Sequence, residues 1–180
     1  MMYRLVVPHR FVWPNYFVLA LLLVVLALTG CQSRTNRQSP VAMPQALSKK
    51  LIVPVQGIRA SDLRDTWGAA RANGRRHEGI DIVADAGTPV FSTTVGVVQK
   101  ISTGGAGGRA IRIAGPANSS HYYAHLQSFA DLKQGDRVEV GTLLGTVGNS
   151  GNAAGGRPHL HYGIYLQDGK AVNPYPYLVR

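Results

Sequence analysis

The chain has 180 residues, a single cysteine and a formal net charge of +10, from 19 lysine and arginine residues against 9 acidic ones. One cysteine excludes an internal disulfide bond and a structural zinc site made of cysteines. The length suits one well-packed domain behind a removable leader. Four basic residues lie between residues 31 and 50, which favours an anionic membrane surface, although an ordinary solvated surface explains the charge equally well. The other basic residues are scattered and no nucleic-acid-binding motif is present, so no nucleic-acid partner is expected.

The N-terminal region has the pattern of an export leader. Residues 1–15 are basic and free of acids, and the run from Tyr16 to Leu28 is almost entirely apolar. The run is shorter than the ~20 residues of a membrane span and suits a signal-peptide core. It ends in Leu28-Thr29-Gly30-Cys31, which resembles the lipobox of bacterial lipoproteins, where signal peptidase II cuts before the cysteine and lipid is attached to it. The resemblance implies a signal peptide over residues 1–30 and a lipid on Cys31, with an uncleaved signal anchor as the alternative.

The residues after the cysteine indicate where the protein is held. Position 32 is Gln32, not the Asp that signals inner-membrane retention in enterobacterial lipoproteins, so the resemblance favours the outer membrane, facing the periplasm. Several acyl chains on one cysteine would give stable anchoring. Residues 31–50 are polar, contain prolines and have no sustained period, which predicts a flexible tether with a reach of about 25 Å. A single domain is expected over residues 51–180.

The domain alternates short apolar runs with turn residues, a pattern typical of an all-β fold. A first strand is expected near residues 51–57, with further strands at 80–83, 89–92, 96–101, 109–113, 121–126, 137–140, 143–147 and 159–165. The glycine-rich run at 104–108 is predicted to be a β-turn rather than a phosphate cradle, because no helix signal follows it. We expect no long helix.

Histidines with even spacing suggest a metal site. His159 and His161 lie two apart in a predicted strand and therefore point to the same face. His77 and Asp81 add a nitrogen and a carboxylate oxygen on one face, whether their segment is extended or helical. Two imidazoles and one carboxylate with an open fourth position form a catalytic zinc site. Taken alone, the His-x-His pair is more often two ordinary strand residues, and the other clusters are what favour the metal site.

A third cluster lies in the strand predicted at 121–126. Strand parity places His121, Tyr123 and His125 on one face, so the sequence alone does not say which of the two histidines enters the site. Glu78, beside His77, could suggest the base of a His-Glu-x-x-His metalloprotease, but the second histidine of that motif is missing. We interpret Glu78 as a loop carboxylate, with a hydrogen bond to a metal-site histidine as the lesser option.

These motifs occur in a known order: His77-x-x-x-Asp81, Tyr123-Ala124-His125-Leu126 and His159-Leu160-His161. The pattern resembles the lysostaphin/LytM-type zinc endopeptidases of bacterial peptidoglycan, from about residue 51 to residue 178. The resemblance implies antiparallel sheets forming a β-sandwich with a groove and a metal at its floor. It implies one zinc held by His77, Asp81 and His161, and His125 and His159 as catalytic groups touching the metal's water. Which of these two is the main base stays open, and His121 is interpreted as a strand-surface residue.

Two functions of different classes follow from the resemblance. The first is a lipid-anchored zinc endopeptidase that hydrolyses peptide bonds in peptidoglycan stems or cross-links. The second is a non-catalytic regulator that activates a cell-wall amidase. Regulators of that kind typically lose a metal ligand, whereas this sequence keeps all three, which favours the enzyme. The expected partners are peptidoglycan, the membrane through lipid on Cys31, and an amidase or scaffold protein; the expected bond in a Gram-negative wall is D-Ala–diaminopimelate.

Overall fold

The computed structural model describes residues 50–180, so the predicted leader, the lipidation at Cys31 and almost all of the tether lie outside the described residues. The described residues form nine strands: β1 Ile80–Val83, β2 Pro89–Phe91, β3 Gly96–Ser102, β4 Arg109–Ala114, β5 Ser120–Phe129, β6 Arg137–Val138, β7 Leu143–Val147, β8 His159–Tyr165 and β9 Ala171–Val172. They also form four short 3-10 helices, Ala60–Asp62, Ala72–Gly74, Pro116–Asn118 and Gly151–Ala153, and one α-helix, α1, Tyr175–Leu178. In this part of the chain no helix has the length and apolar character that a membrane crossing requires.

All the strand pairs are antiparallel, which confirms the all-β prediction. The strands form one continuous sheet in the order β1-β8-β5-β4-β3-β6, and β7 joins β5 to β2. The long strand β5 therefore pairs with β8 through its first half and with β7 through its second half. The two parts of the sheet therefore share β5. Four of the domain's five histidines lie on β5 and β8: His121, His125, His159 and His161.

Strand β8 shows why these residues form a half-buried sheet. Leu160, Tyr162 and Ile164 are fully buried in the hydrophobic core, while His159 and His161 alternate with them on the opposite face. Because successive strand residues point to opposite faces, the apolar residues fix which face carries the imidazoles. The predicted side-by-side placement of the two histidines is confirmed.

Strand β5 departs from simple parity at a bulge. Arg109 pairs with Leu126 and Ile111 with Tyr123, so two residues of β5 oppose one residue of β4. The extra residue is accommodated at His125, whose φ of 63° lies in the left-handed region. The expectation that His121, Tyr123 and His125 share a face is wrong: the bulge turns His125 to the face of His161, and His121 and Tyr123 stay on the core face.

His121 is consequently not a surface residue. Its side chain is 1% exposed and lies among hydroxyl groups, with Nδ1 2.8 Å from the Tyr162 hydroxyl and 3.2 Å from Thr93 Oγ1. The Ser119 hydroxyl is 3.2 Å from its other ring nitrogen. The sequence pattern did not reveal this burial, because a histidine among alternating residues is compatible with either face of a strand.

Two smaller expectations are also adjusted, and a third is confirmed. Residues 51–57 contribute only an isolated bridge, Val55 to Val90, because Pro54 has no N–H for a ladder hydrogen bond. The strand expected at 137–140 ends at Val138, since Thr142 N bonds back to the Glu139 carbonyl in a turn. The glycine-rich run is a turn between β3 and β4, as predicted, with Gly108 N bonded to the Gly105 carbonyl at 3.2 Å.

Candidate metal centre

Three side chains converge where strands β1 and β8 pair. Asp81 and His161 are direct register partners, and His77 precedes β1 by three residues. His77 Nε2 lies 3.0 Å from Asp81 Oδ1 and 2.9 Å from His161 Nδ1, and the third separation, His161 Nδ1 to Asp81 Oδ1, is 3.2 Å. Ligands about 2.05 Å from a tetrahedral zinc lie about 3.3 Å from one another. The three donor atoms therefore have nearly the spacing that such an ion requires.

The loop before β1 sets the orientation of His77. The Nδ1 of His77 lies 2.8 Å from the Thr66 carbonyl oxygen, which accepts a hydrogen bond from the ring N–H. The Nε2 lone pair is therefore available for a metal. The same threonine receives the Asp81 backbone N–H on its hydroxyl oxygen at 3.0 Å. Thr66 thus positions two of the three donors. Sequence reasoning missed it, because nothing local marks a threonine 11 residues before a histidine as its partner.

The ionisation of the donors suits a cation. Burial alone would raise the pKa of the Asp81 carboxyl, but the hydrogen bonds from His161 and His77 hold that pKa well below its ordinary value. Burial lowers the pKa of the His161 imidazole, although the Asp81 carboxylate opposes this. The centre therefore combines a carboxylate with the His161 imidazole, whose neutral form is favoured, and these are the protonation states that bind metal.

Arg71, which the sequence analysis did not single out, completes the surroundings of Asp81. Its guanidinium Nη2 pairs with Asp81 Oδ2, while Oδ1 faces the two histidines. The two oxygens of one carboxylate thus have different partners. A metal bound through Oδ1 would leave the contact between Oδ2 and Arg71 in place.

His125 and His159 lie beside this group, as the sequence analysis expected. Their ring centroids are 5.0 Å apart, and the His125 ring is 5.9 Å from that of His161. His159 Nε2 is 3.9 Å from Asp81 Oδ1. Each ring directs Nδ1 to a backbone carbonyl at 2.8 Å, that of Ser150 for His125 and that of Arg157 for His159. The carbonyls accept the Nδ1 protons, so each neutral imidazole keeps a free lone pair at Nε2.

The five side chains line a cleft of about 590 Å³. The lining also includes Tyr122 and Ala124 of β5, Gly107 and residues 152–153. The segment before β1 contributes Arg71, Ala72, Arg75, Arg76 and Glu78. Burial lowers the pKa of His125 to about 4, so this ring is uncharged at neutral pH. The arrangement can bind one divalent cation and place two proton acceptors next to it.

Two residues considered from the sequence do not join the centre. His121 is buried behind the sheet, in contact with the Tyr162 hydroxyl rather than with the cleft. Glu78 lines the cleft as an exposed loop carboxylate, and its backbone carbonyl accepts a 3.4 Å hydrogen bond from the Tyr165 hydroxyl. Among the described residues Glu78 has no side-chain hydrogen bond to a histidine.

Several known proteins are similar to this chain. The family model described as Peptidase family M23 matches residues 75–174. The chain is 45% identical over 126 residues to an L-Ala--D-Glu endopeptidase of Bacillus subtilis, covering 64% of this chain and 39% of that protein. It is 38% identical over 100 residues to the peptidoglycan DD-endopeptidase ShyC of Vibrio cholerae, covering 56% of this chain and 22% of that protein. The chain therefore spans well under half the length of these relatives.

Two solved structures share the fold. A putative glycyl-glycine endopeptidase lytM from Ruminococcus gnavus superimposes with a TM-score of 0.64 at 36% identity, covering 75% of this chain and 62% of that one. The catalytic domain of the antimicrobial peptidase lysostaphin from Staphylococcus simulans gives a TM-score of 0.60 at 25% identity, covering 67% of this chain and 96% of that one. The antiparallel sheet is thus the fold of the lysostaphin catalytic domain.

Proposed function

Because the chain belongs to peptidase family M23, a zinc-dependent family of peptidoglycan endopeptidases, we propose that it is itself an active zinc endopeptidase that hydrolyses peptide bonds in peptidoglycan stems or cross-links. The observation that carries the proposal is the convergence of His77, Asp81 and His161, with His125 and His159 on the same cleft. A complete donor set beside two proton acceptors is what metal-assisted hydrolysis requires.

In this proposal His77 Nε2, His161 Nδ1 and one oxygen of Asp81 hold the zinc. The donor spacing near 3 Å and the Nδ1 proton of His77 on the Thr66 carbonyl both fit such an ion. When bound, zinc supplies a Lewis acid that lowers the pKa of water and polarises the scissile carbonyl. Every other requirement of the reaction falls on side chains of this chain.

His125 and His159 move the protons. Each presents a free Nε2 to the cleft while its Nδ1 proton is held on a carbonyl, so each can take a proton from the attacking water at Nε2. The resulting imidazolium stabilises negative charge developing on the substrate and can give the proton to the leaving nitrogen as the C–N bond breaks, so that a neutral amine departs. Either ring can be the main base, and the other donates a hydrogen bond to the substrate only when its Nε2 is protonated, because its Nδ1–H is already bonded to a carbonyl.

The rival function, a regulator that activates a cell-wall amidase, needs none of these groups. A regulator would retain the fold and the cleft without a reason to keep three metal donors and two oriented imidazoles. The complete constellation in this chain therefore favours the enzyme.

We propose further that the signal peptide over residues 1–30 is removed and that lipid on Cys31 anchors the domain of residues 51–180 to the outer membrane, facing the periplasm. The motif Leu28-Thr29-Gly30-Cys31 and the glutamine that follows support this. The test is membrane fractionation of the wild-type protein and a Cys31→Ser variant. Wild-type protein in the outer-membrane fraction and variant protein released from it are expected, and equal distribution of the two would refute the anchor.

The function is tested on the full chain, purified in detergent without chelator. We would measure zinc per chain by elemental analysis, incubate the protein with purified peptidoglycan, and identify the released fragments by mass. About one zinc per chain and cleavage that a chelator abolishes are expected. The fragment masses name the bond, for which the relatives suggest L-Ala–D-Glu or a D-Ala cross-link such as D-Ala–diaminopimelate.

Matched variants make this test specific. His161→Ala and Asp81→Asn should each lose zinc and cleavage, whereas Asp131→Asn, which makes the same change at an exposed position away from the cleft, should retain both. Cleavage at the wild-type rate by His161→Ala would refute the proposal. Absence of both zinc and cleavage in the wild-type protein, even after metal is added, would favour the regulator.

A further inference from the structure

The segment that leads into His77 is a short, well-bonded hairpin formed by residues 69–77. Ala70 and Arg76 form an antiparallel bridge, and Arg71 N bonds to the Arg75 carbonyl at 2.9 Å. His77 closes the hairpin through its own N–H to the Ala69 carbonyl at 2.9 Å, and its carbonyl receives Gly68 N at the same distance. The position of the hairpin is therefore fixed relative to the candidate metal centre.

Three residues of this arginine hairpin line one wall of the cleft, Arg71, Arg75 and Arg76. Arg71 pairs with Asp81. Arg75 uses only Nε, in a long 3.4 Å contact to the Ala72 carbonyl, and Arg76 uses only Nη1, bonded to the Gly68 carbonyl at 3.1 Å. A guanidinium carries five N–H donors. Among the described residues, most donors of Arg75 and Arg76 have no protein acceptor, and both side chains are exposed.

The charges that face this wall do not balance it. Among the described residues only two acidic ones line the cleft, and one of them, Asp81, is already paired with Arg71 and directed at His77 and His161. Glu78 is exposed at the rim. Apart from the arginines, these two acids and the histidines, the described residues that line the cleft are neutral, among them Tyr122, Gly107 and Asn152. The cleft therefore offers an uncompensated positive surface beside its reactive centre.

We propose that Arg75 and Arg76 bind a free carboxylate of the peptide substrate, close to the bond that is cut. The inference rests on the proposed function for the identity of the ligand: peptidoglycan stems contain residues with a carboxylate outside the main chain, which some walls carry as a carboxamide. A guanidinium recognises a carboxylate through paired, charge-assisted hydrogen bonds, whereas a carboxamide offers one neutral acceptor. The hairpin would thus make the enzyme selective for unamidated stems.

The test uses two synthetic stem peptides that differ only in a carboxylate or a carboxamide at one position. Kinetics on the full chain should give a KM about tenfold lower for the carboxylate peptide, the ratio that corresponds to ~1.4 kcal/mol, with little change in kcat. The preference should shrink as salt is raised, because the wall is exposed. The double variant Arg75→Ala/Arg76→Ala should treat the two peptides alike. The control Arg137→Ala, which removes an exposed charge outside the cleft, should keep the preference.

A second measurement separates this inference from the proposed function. Calorimetric binding of the two peptides in the presence of chelator involves no hydrolysis. Tighter binding of the carboxylate peptide there, lost in the double variant, would support the carboxylate site even if the protein cut neither peptide. Cleavage of both peptides with equal KM, or a preference that survives in the double variant, would overturn the site and leave the endopeptidase intact.

Discussion

The buried imidazole of His121 should make the stability of the domain depend on pH. Burial lowers its pKa from 6.5 to about 4 in the folded protein. No carboxylate is among its hydrogen-bond partners, which are the hydroxyls of Thr93, Tyr162 and Ser119. The charged form of His121 therefore loses its solvation by water without gaining an ion pair, so the neutral form is favoured.

The sign of the effect follows from proton uptake on unfolding. Between pH 6.5 and pH 4 the unfolded chain protonates His121 and the folded protein does not, so the unfolded state binds more protons and stability falls as the pH is lowered. The two pKa values give a loss of about 2 kcal/mol between pH 7.5 and pH 5, and about 3 kcal/mol by pH 4. Above pH 7 the contribution of this residue is constant.

The prediction is tested with urea unfolding at pH 7.5 and pH 5 on wild-type protein and a His121→Gln variant, whose amide keeps hydrogen-bonding capacity but does not titrate. A chelator is present throughout, because metal binding would add its own pH dependence. The wild-type protein should lose about 2 kcal/mol more than the variant over this range. Ser119→Ala, which removes a partner and keeps the imidazole, should retain the wild-type slope. Parallel pH profiles for wild type and His121→Gln would refute the reasoning.

Two further variants test contacts around the cleft. Arg71→Ala frees Asp81 Oδ2, so zinc affinity measured with a competing chelator should fall about tenfold, the low end of losses on removing such partners; an unchanged affinity would show that Arg71 does not position the carboxylate. Ser150→Ala removes a hydroxyl that accepts from Arg109 N and donates to the Leu126 carbonyl, each at 2.8 Å, and should cost about 1–3 kcal/mol of unfolding free energy. The cleavage rate of peptidoglycan should fall by more than the decrease in the folded fraction explains. An unfolding free energy equal to that of the wild-type protein would contradict the bridging role of Ser150.

Much of the site was predictable because strands have period two. The alternating apolar residues of β8 predict that Leu160 and Tyr162 are buried. His159 and His161 then lie together on the opposite face. The grouping of His77, Asp81 and His161 came from the resemblance of motifs. No local signal pairs residues 81 and 161, whose register depends on where two distant strands meet.

The remaining features depend on contacts between distant segments. Thr66 contacts His77 from a loop, and Arg71 contacts Asp81 from a hairpin. The sequence has no periodic pattern that predicts the path of either segment. Burial of His121 depends on which face of β5 meets the core, and a histidine in an alternating pattern is compatible with either face. Such residues become visible only when hydrogen-bond partners can be assigned in space.

The position of His125 shows how the fold overrides strand parity to build the site. Without the bulge, His125 would follow His121 and Tyr123 into the core, away from the cleft. The bulge interrupts the ladder between β4 and β5, and the loop after β7 repairs it: the Ser150 hydroxyl bridges Arg109 N and the Leu126 carbonyl.

The same loop then orients the ring that the bulge turns into the cleft, since the Ser150 carbonyl accepts a hydrogen bond from the Nδ1–H of His125. The loop can lie this close because Gly108 and Gly151 face each other, and a Cβ on either would come within 2.3 Å of the other's backbone nitrogen. Ser150, Gly108 and Gly151 thus stabilise the bulge and hold the His125 ring so that its Nε2, a proton acceptor, faces the cleft. Because that conversion needs three segments far apart in the chain, the placement of His125 is a property of the fold and not of the strand that carries it.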